Sequence, residues 1–349
     1  MKKIIIFGGT FDPVHKGHIE IANKALKKIK ADKLFFVPCN THPDQKQINA
    51  TCEQRLDMLY IATQKNLRFD VSDFELKRHA VSYSVDTVSY FQQNYSDCEL
   101  YFLIGQDQLN QFKNWHGYET ILEKAKIISH IRKNNLMQPQ AHIDFPYIKL
   151  GGCNIKTSST QLRIKPNKKY LDPKVIKYIN DFGVYAYLRC QQVMSEYRLL
   201  HCQEVANIAK NLAKIHKLYP LINKAYVAGF YHDYGKEFDK ELQEKIAKKL
   251  KIKNYVSWKV LHSYVSAYFM EKNFFMNDYQ VLTAVKSHTV PYDYATLSKI
   301  IFIADKVATR DDEAKELRKK WIELAHKNLN AAFDTINNFY IDYYKRNKV

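Results

Sequence analysis

The run Ile4-Ile5-Ile6-Phe7-Gly8-Gly9-Thr10-Phe11-Asp12-Pro13-Val14-His15-Lys16-Gly17-His18 decides the fold of the first half of this chain. Ile4 to Phe7 form a compact β-prone stretch, two glycines stop it, and Ile19, Ala22, Leu26 and Ile29 then recur at helical spacing. This predicts a buried strand, a tight turn and an amphipathic helix, the opening of a parallel βαβ unit. Ligands of parallel sheets bind where the strands end, and a helix N-terminus there offers unpaired N–H groups and a positive dipole end to phosphate. His15 and His18 lie three apart, so both lean over the helix mouth, where they can donate hydrogen bonds to phosphate oxygens as charge builds in a transition state. Neither the GxxxxGK[ST] phosphate loop nor the GxGxxG dinucleotide fingerprint is present. A glycine turn with two surface histidines is the bland alternative.

Working outward, Leu34 to Pro38 is a second strand and Arg55 to Thr63 a second helix. Ser84 is placed to cap a third helix through Val85, Val88 and Phe91, and Leu100 to Ile104 and Ile127 to Ile131 read as further buried strands. From Ser195 onward apolar residues recur every three or four positions without strand-like runs, which predicts a helical bundle. The polar stretch Leu188 to Tyr197 marks the expected boundary, giving an α/β domain over 1–190 and an all-α domain over 193–349. A length of 349 residues suits two domains.

Composition narrows the function. With 46% apolar, 26% charged and 13% aromatic residues the chain folds rather than staying disordered. No apolar window approaches 18 residues, and Ile4 to Phe7 is too short for a signal core, so the expectation is a cytoplasmic protein with no membrane partner. Lys plus Arg 54 against Asp plus Glu 36 leaves +18, which suits acidic ligands. Nucleic acid is not expected, because aromatic-basic clusters and RNP-like motifs are missing. The cysteines (Cys39, Cys52, Cys98, Cys153, Cys190, Cys202) form no CxxC pair and are expected to be free thiols. Nothing in the sequence signals an oligomeric state.

The helical half holds His201, then Ala228-Gly229-Phe230-Tyr231-His232-Asp233-Tyr234-Gly235-Lys236, then His262, His288 and Asp305. Each interval suits a helix, a turn and a return, so all six ligand-type side chains can converge in a bundle core. Imidazole nitrogens with carboxylate oxygens suit iron, manganese or zinc, and a carboxylate between two cations can bridge them. Any one of these histidines alone is more often a core or surface residue than a ligand.

Two family resemblances follow. Gly8 to His18 resembles the GGTFDPxHxGH signature of nicotinate mononucleotide adenylyltransferases, supported by Phe102-Leu103-Ile104-Gly105-Gln106-Asp107, by Trp115-His116, and by Ser158-Ser159-Thr160-Gln161-Leu162-Arg163, similar to the family's ISSTxIR. It implies a Rossmann-like parallel-sheet domain in which ATP is attacked at its α-phosphorus by nicotinate mononucleotide, with Mg²⁺ on the triphosphate and no covalent intermediate. In that reading Gly8, Gly9, Thr10 and Phe11 form the nucleotide turn, with His15 and His18 on the phosphates being rearranged. Ser158, Thr160 and Arg163 hold the outer phosphates, and Gly105, Asp107 and Trp115 lie on the pyridine nucleotide side. The family's Pro-His-Lys loop departs here to His42-Pro43-Asp44-Gln45-Lys46, with Lys46 the candidate cation.

The order His, His-Asp, Asp resembles the HD phosphohydrolases, and within them the bacterial enzymes that cut diadenosine tetraphosphate symmetrically. That resemblance implies two transition-metal ions, iron first and manganese or another as alternatives. His201, His232, Asp233 and Asp305 would hold one, and His262 and His288 with Asp233 shared the other. Asp233 would be catalytic, Lys236 would hold a bridging phosphate, and Arg310 would touch the nucleotide, although Ala308-Thr309-Arg310 lacks the usual glycine. Another nucleotide substrate, or a nucleotide-sensing regulatory role for the helical half, is the alternative.

Overall fold

The structure is a computed structural model and describes residues 1–41, 47–78, 81–132, 143–153, 157–253, 255, 257–309 and 314–346, with backbone alone at 131, 132, 152, 153, 344 and 346. Its contacts divide into two compact units, Met1–Ile176 and Lys177–Val349.

In the first unit six parallel strands, β1 (Lys2–Gly9), β2 (Lys33–Pro38), β3 (Phe69–Val71), β4 (Cys98–Gly105), β5 (Lys126–Arg132) and β6 (Tyr147–Cys153), lie in the order β3-β2-β1-β4-β5-β6. That is the doubly wound Rossmann-like order, and the strand order reverses between β1 and β4, where such sheets open a ligand crevice. Ile5 and Ile6 are fully buried because helices cover both sheet faces. The Lys16–Ile29 helix places Ile21, Ala22, Ala25, Leu26 and Ile29 on its inner side. β3 and β6 carry no clear strand pattern: β3 spans three residues and β6 contains Gly151-Gly152. Ser84 does not cap its helix. Tyr83 already adopts the extended cap conformation (φ −90, ψ 131), so Ser84 is the first helical residue of Ser84–Asn94 and the cap carries no side-chain hydrogen bond.

The second unit shows no strand among the described residues. Its core gathers Leu199, Cys202, Val205, Phe230, Ile300, Phe302 and Phe333. Five helices bring residues to its polar centre: Glu196–Ile215, Ile222–Tyr231, His262–Phe274, Tyr279–Ser287 and Thr296–Val307. The first two approach so closely that a Cβ at Gly229 would sit 2.7 Å from the Ala206 Cα. The side chains of Cys39, Cys52, Cys98, Cys190 and Cys202 are free thiols. No helix is long and apolar enough to cross a membrane among the described residues.

Gly229 tests the packing that carries His232 and Asp233. Alanine favours an isolated helix by about 1 kcal/mol, but here the added methyl meets backbone atoms that have no rotamer to escape into, an overpacking cost of about 1–3 kcal/mol. Gly229→Ala should therefore lower Tm, and a Tm at or above wild type would contradict the close approach.

Candidate functional site

At the carboxyl ends of β1 and β4 a cleft of about 480 Å³ opens in the first unit. Gly8, Gly9, Thr10, Phe11, His15, His18, Gly105, Asp107, Trp115, Ser158, Thr160 and Arg163 all line it. His15 stands at the N-cap of the Lys16–Ile29 helix, where its Nδ1 accepts from the Gly17 N–H at 3.0 Å. The His18 Nδ1 accepts from the His15 N–H at 3.2 Å. Both Nδ1 atoms are thus acceptors, so in the neutral rings the proton sits on Nε2, which becomes the donor. The two rings stack with centroids 3.9 Å apart, and the His18 ring meets Phe11 edge-on at 5.1 Å.

The glycine turn is tied down by contacts between distant segments that the sequence patterns did not show. Asp12, 1% exposed, accepts from the backbone N–H of Asn49 at 2.8 Å and of Ala50 at 3.1 Å. Arg163 donates from Nη1 to the Asp12 carbonyl at 2.6 Å, lies 3.6 Å from the Asp12 carboxylate, and donates from Nη2 to the Thr160 hydroxyl at 3.2 Å. Arg163 therefore clasps the turn as well as facing the cleft. The buried Arg55 donates to the Thr10 carbonyl at 3.0 Å, and the Ser159 hydroxyl donates to the Pro13 carbonyl at 2.9 Å. Ser158 caps the Ser159–Ile164 helix by accepting from the Gln161 N–H. Trp115 packs edge-on against Phe102, with ring centroids 6.2 Å apart. Lys46 lies outside the described residues.

In the second unit His201, His232 and Asp305 form one group of converging ligand atoms, and His232, Asp233 and His288 a second, the atoms of each lying within 4.8 Å of one another. Asp233 Oδ1 is 3.3 Å from His262 Nε2 and 3.4 Å from His288 Nε2, while Asp305 Oδ1 is 3.3 Å from His201 Nε2 and 3.6 Å from His232 Nε2. His262 and His288 face each other through Nε2 at 3.2 Å. The main chain aims three of these rings. The Nδ1 atoms of His232, His262 and His288 lie 2.8, 2.6 and 2.7 Å from the carbonyls of Gly229, Lys259 and Val285. Each Nδ1–H donates there, which aims Nε2 at the centre, the atom that would meet a cation once it gives up any proton.

His232 Nε2 and Asp233 Oδ1 are buried with no hydrogen-bond partner. Burial without a partner is costly for such atoms, and nitrogen and carboxylate donors at this spacing fit divalent ions. Burial opposes charge on Asp233, but positive charge on His232, the ring N–H groups of His262 and His288, and Lys236 hold its carboxyl well below the usual range, while burial of His232 is outweighed by Asp233 and Asp305, which raise that ring well above its ordinary value. Burial likewise opposes charge on Asp305, and Lys306, His201 and His232 outweigh it. Burial pushes His288 down to about 3, so it stays a neutral ring with a lone pair to give.

Around this centre Lys236 donates to Asp233 Oδ2 at 2.7 Å, and Arg198 reaches the same oxygen at 3.4 Å while donating from Nε to Glu237 at 2.7 Å. Lys306 donates to Asp305 Oδ2 at 2.6 Å, and the Thr289 hydroxyl sits 3.0 Å from His288 Nε2. Gly235 lets the turn after Asp233 press on the His262 segment, since a Cβ there would lie 2.2 Å from the His262 carbonyl. Thr289 and Lys306 directly follow His288 and Asp305 in sequence, and Arg198 stands three residues before His201, so the motifs contain all three although no role is assigned to them there. Arg310 lies outside the described residues.

Residues 6–165 match the Cytidylyltransferase-like family and residues 198–310 the HD domain family. The chain is 35% identical over 343 residues to a protein of Mycoplasma genitalium named a probable nicotinate-nucleotide adenylyltransferase/Ap4A hydrolase, covering 95% of this chain and 96% of that one. A protein of the same name from Mycoplasma pneumoniae is 34% identical over 339 residues, 94% of this chain and 96% of that one. A probable nicotinate-nucleotide adenylyltransferase of Shouchella clausii is 35% identical over 190 residues, 53% of this chain and 97% of its own length.

An ion that binds the folded centre and not the unfolded chain stabilises by about 2.7 kcal/mol at a free concentration of 100 Kd. Protein stripped with a chelator should therefore gain Tm when Mn²⁺ or Fe²⁺ is restored, and His232→Ala should lose that gain. Equal gains in wild type and variant would take His232 out of the ligand set.

Proposed function

The chain belongs to the family of nicotinate-nucleotide adenylyltransferase/Ap4A hydrolases, and on that premise we propose that it carries two active sites. Residues 1–190 transfer AMP from ATP to nicotinate mononucleotide, releasing pyrophosphate, and residues 193–349 hydrolyse a nucleotide phosphoanhydride, diadenosine tetraphosphate to ADP. The observation that carries the transfer is the pair of stacked histidines at the helix mouth, each with Nδ1 spent on a backbone N–H. Their Nε2–H groups donate to the phosphate oxygens on which charge builds as the α-phosphorus changes partners, and donors fixed in advance need no reorganisation during the step. Gly8, Gly9, Thr10 and Phe11 bring main chain to the nucleotide, Ser158 and Thr160 offer hydroxyls to the outer phosphates, and Arg163 joins that segment to the turn. Gly105, Asp107 and Trp115 take the pyridine nucleotide, and Lys46 adds a cation. Mg²⁺ accompanies ATP, and direct displacement between held phosphates needs positioning and charge stabilisation alone.

In the helical unit the orphaned Nε2 of His232 and Oδ1 of Asp233 carry the reading. His201, His232, Asp233 and Asp305 would hold one ion and His262, His288 and the shared Asp233 a second, with iron or manganese suited to this donor set. Such ions supply positive charge to phosphoryl oxygens and make water acidic enough to act at neutral pH. The residues themselves orient and neutralise. Asp233 joins the two halves of the centre, while Lys236 and Arg198 hold its outer oxygen and present cations to the phosphate chain, Lys236 to the leaving group. Arg310 contacts the nucleotide.

The two activities should separate by mutation. His18→Ala should lose about 10²–10³ in kcat for adenylyl transfer, the scale of one lost charge-stabilising donor, and keep hydrolysis of diadenosine tetraphosphate. Asp233→Ala should do the reverse. Assaying both reactions on both variants checks this, and parallel loss of the two activities in either variant would contradict two separate centres.

A further inference from the structure

The hydroxyl of Thr289 stands inside the histidine and aspartate cluster, and the chemistry above gives it no role. Thr289 directly follows His288 at the end of the helix Tyr279–Ser287 and is half-buried. Its Oγ1 lies 3.0 Å from His288 Nε2 and 3.1 Å from His262 Nε2. Those two nitrogens are 3.2 Å apart, and Asp233 Oδ1 lies 3.3 Å from His262 Nε2 and 3.4 Å from His288 Nε2. The two ring nitrogens are thus shared by a carboxylate oxygen and a hydroxyl oxygen. Donor atoms about 2.1 Å from a common ion stand about 3.0 Å apart at octahedral angles and about 3.4 Å apart at tetrahedral ones, the span these separations cover. Hydrogen bonds alone do not account for the set. Each of the two rings faces a carbonyl through Nδ1, at 2.6 Å for Lys259 and 2.7 Å for Val285, so a neutral ring keeps its proton there and presents a bare Nε2. Two bare nitrogens and a carboxylate oxygen make three acceptors, and the Thr289 hydroxyl has one proton to give. Lone pairs brought this close repel one another unless a positive centre lies among them.

We propose that the Thr289 hydroxyl oxygen is the fourth protein ligand of the second cation, beside His262, His288 and Asp233. The inference rests on the two-ion reading above and adds a donor to it. A neutral hydroxyl oxygen is a hard donor, of the kind that holds Mg²⁺ in phosphate-binding loops. Together with two imidazoles and a carboxylate it makes a mixed set suited to Mn²⁺ or Fe²⁺. His288 and Thr289 are consecutive, so the turn that aims one ligand aims the other. That turn is held in place, because the backbone N–H groups of Tyr292 and Asp293 both donate to the Ser287 hydroxyl at 3.2 Å. The two halves of the centre differ in charge. The first ion would have two carboxylates, Asp233 and Asp305, and the second only the shared Asp233. The second ion is therefore the more weakly held, and its affinity depends more on each further donor. Lys306 occupies the equivalent place beside Asp305, but it donates to the outer oxygen of that carboxylate at 2.6 Å. A cation there supports a ligand, whereas the oxygen of Thr289 is able to serve as one.

Metal binding to the chelator-stripped, full-length protein tests the assignment without recourse to catalysis. Mn²⁺ is titrated calorimetrically into wild type, into Thr289→Val, which keeps the side-chain shape and removes the hydroxyl, and into Thr289→Ser, which keeps the hydroxyl. Two binding steps are expected in wild type. In Thr289→Val the weaker step should loosen about 10- to 100-fold, the scale on which losing one group around a metal lowers affinity, while the tighter step is unchanged. Thr289→Ser should bind both ions as wild type does. Thr289→Cys supplies a spectroscopic readout, because a thiolate prefers soft ions. Adding Cd²⁺ to it should produce a sulfur-to-metal charge-transfer absorption in the ultraviolet beyond the background of wild type. A weaker step as tight in Thr289→Val as in wild type, a Thr289→Ser as weak as Thr289→Val, or no added absorption in Thr289→Cys overturns the assignment. Thr289 is then a hydrogen-bonding neighbour of the rings, and the two-ion reading stands on the wild-type stoichiometry. A wild type that takes up one ion per chain sinks the two-ion reading itself, and this ligand with it.

Discussion

What a histidine can do at a phosphate site is settled by the hydrogen bond its Nδ1 makes to the main chain, and both centres of this protein are built on that bond with opposite sign. At the mouth of the Lys16–Ile29 helix the Nδ1 atoms of His15 and His18 accept from backbone N–H groups, which leaves Nε2–H donors suited to phosphate oxygens. In the helical unit the Nδ1 atoms of His232, His262 and His288 face backbone carbonyls, which aims Nε2 at the centre, where it would meet a cation once it gives up any proton. One residue type thus serves anion binding in the first unit and cation binding in the second, and the local backbone decides which. A helix N-terminus has N–H groups to spare, whereas the carbonyls three residues before each of the three cluster histidines lie at the ends of helical or turn segments.

The helical centre is arranged around the desolvation of Asp233. A carboxylate with no exposed surface survives only if surrounding charge and hydrogen bonds replace water. Here His232, His262, His288, Lys236 and Arg198 do so on its two oxygens. Oδ2 is taken by the lysine and arginine, and Oδ1 is left toward the histidines without a formal hydrogen bond. Removing Asp233 would leave several positive or ring groups facing one another. That makes the cluster a unit whose members do not contribute additively.

Much of this was legible in the sequence, for reasons that differ by unit. The glycine turn and its histidines fall within one contiguous run, so the local pattern of strand, turn and helix already places them at one strand end. The cluster residues are spread over more than a hundred positions, but each sits at a helix end or inner face, and the doublet His232-Asp233 flags the centre. Contacts made by folding were not legible. The clasp between Arg163 and Asp12 joins segments 151 residues apart, so Arg163 reads from sequence as a phosphate ligand only. Ser84 looks like a cap because serine favours that position, yet the backbone enters the helix one residue earlier at Tyr83. β3 is short and β6 is interrupted by glycines, so neither shows the alternation or apolar run that marks a strand.

The most direct test of this account is the tautomeric state of the histidines, read by long-range ¹H–¹⁵N correlation NMR on metal-loaded, ¹⁵N-histidine-labelled protein, with single His→Gln variants to assign the signals. The account predicts Nε2-protonated rings at His15 and His18 and Nδ1-protonated rings at His232, His262 and His288. Nδ1 protonation at His15 and His18, or Nε2 protonation across the cluster histidines, would contradict it.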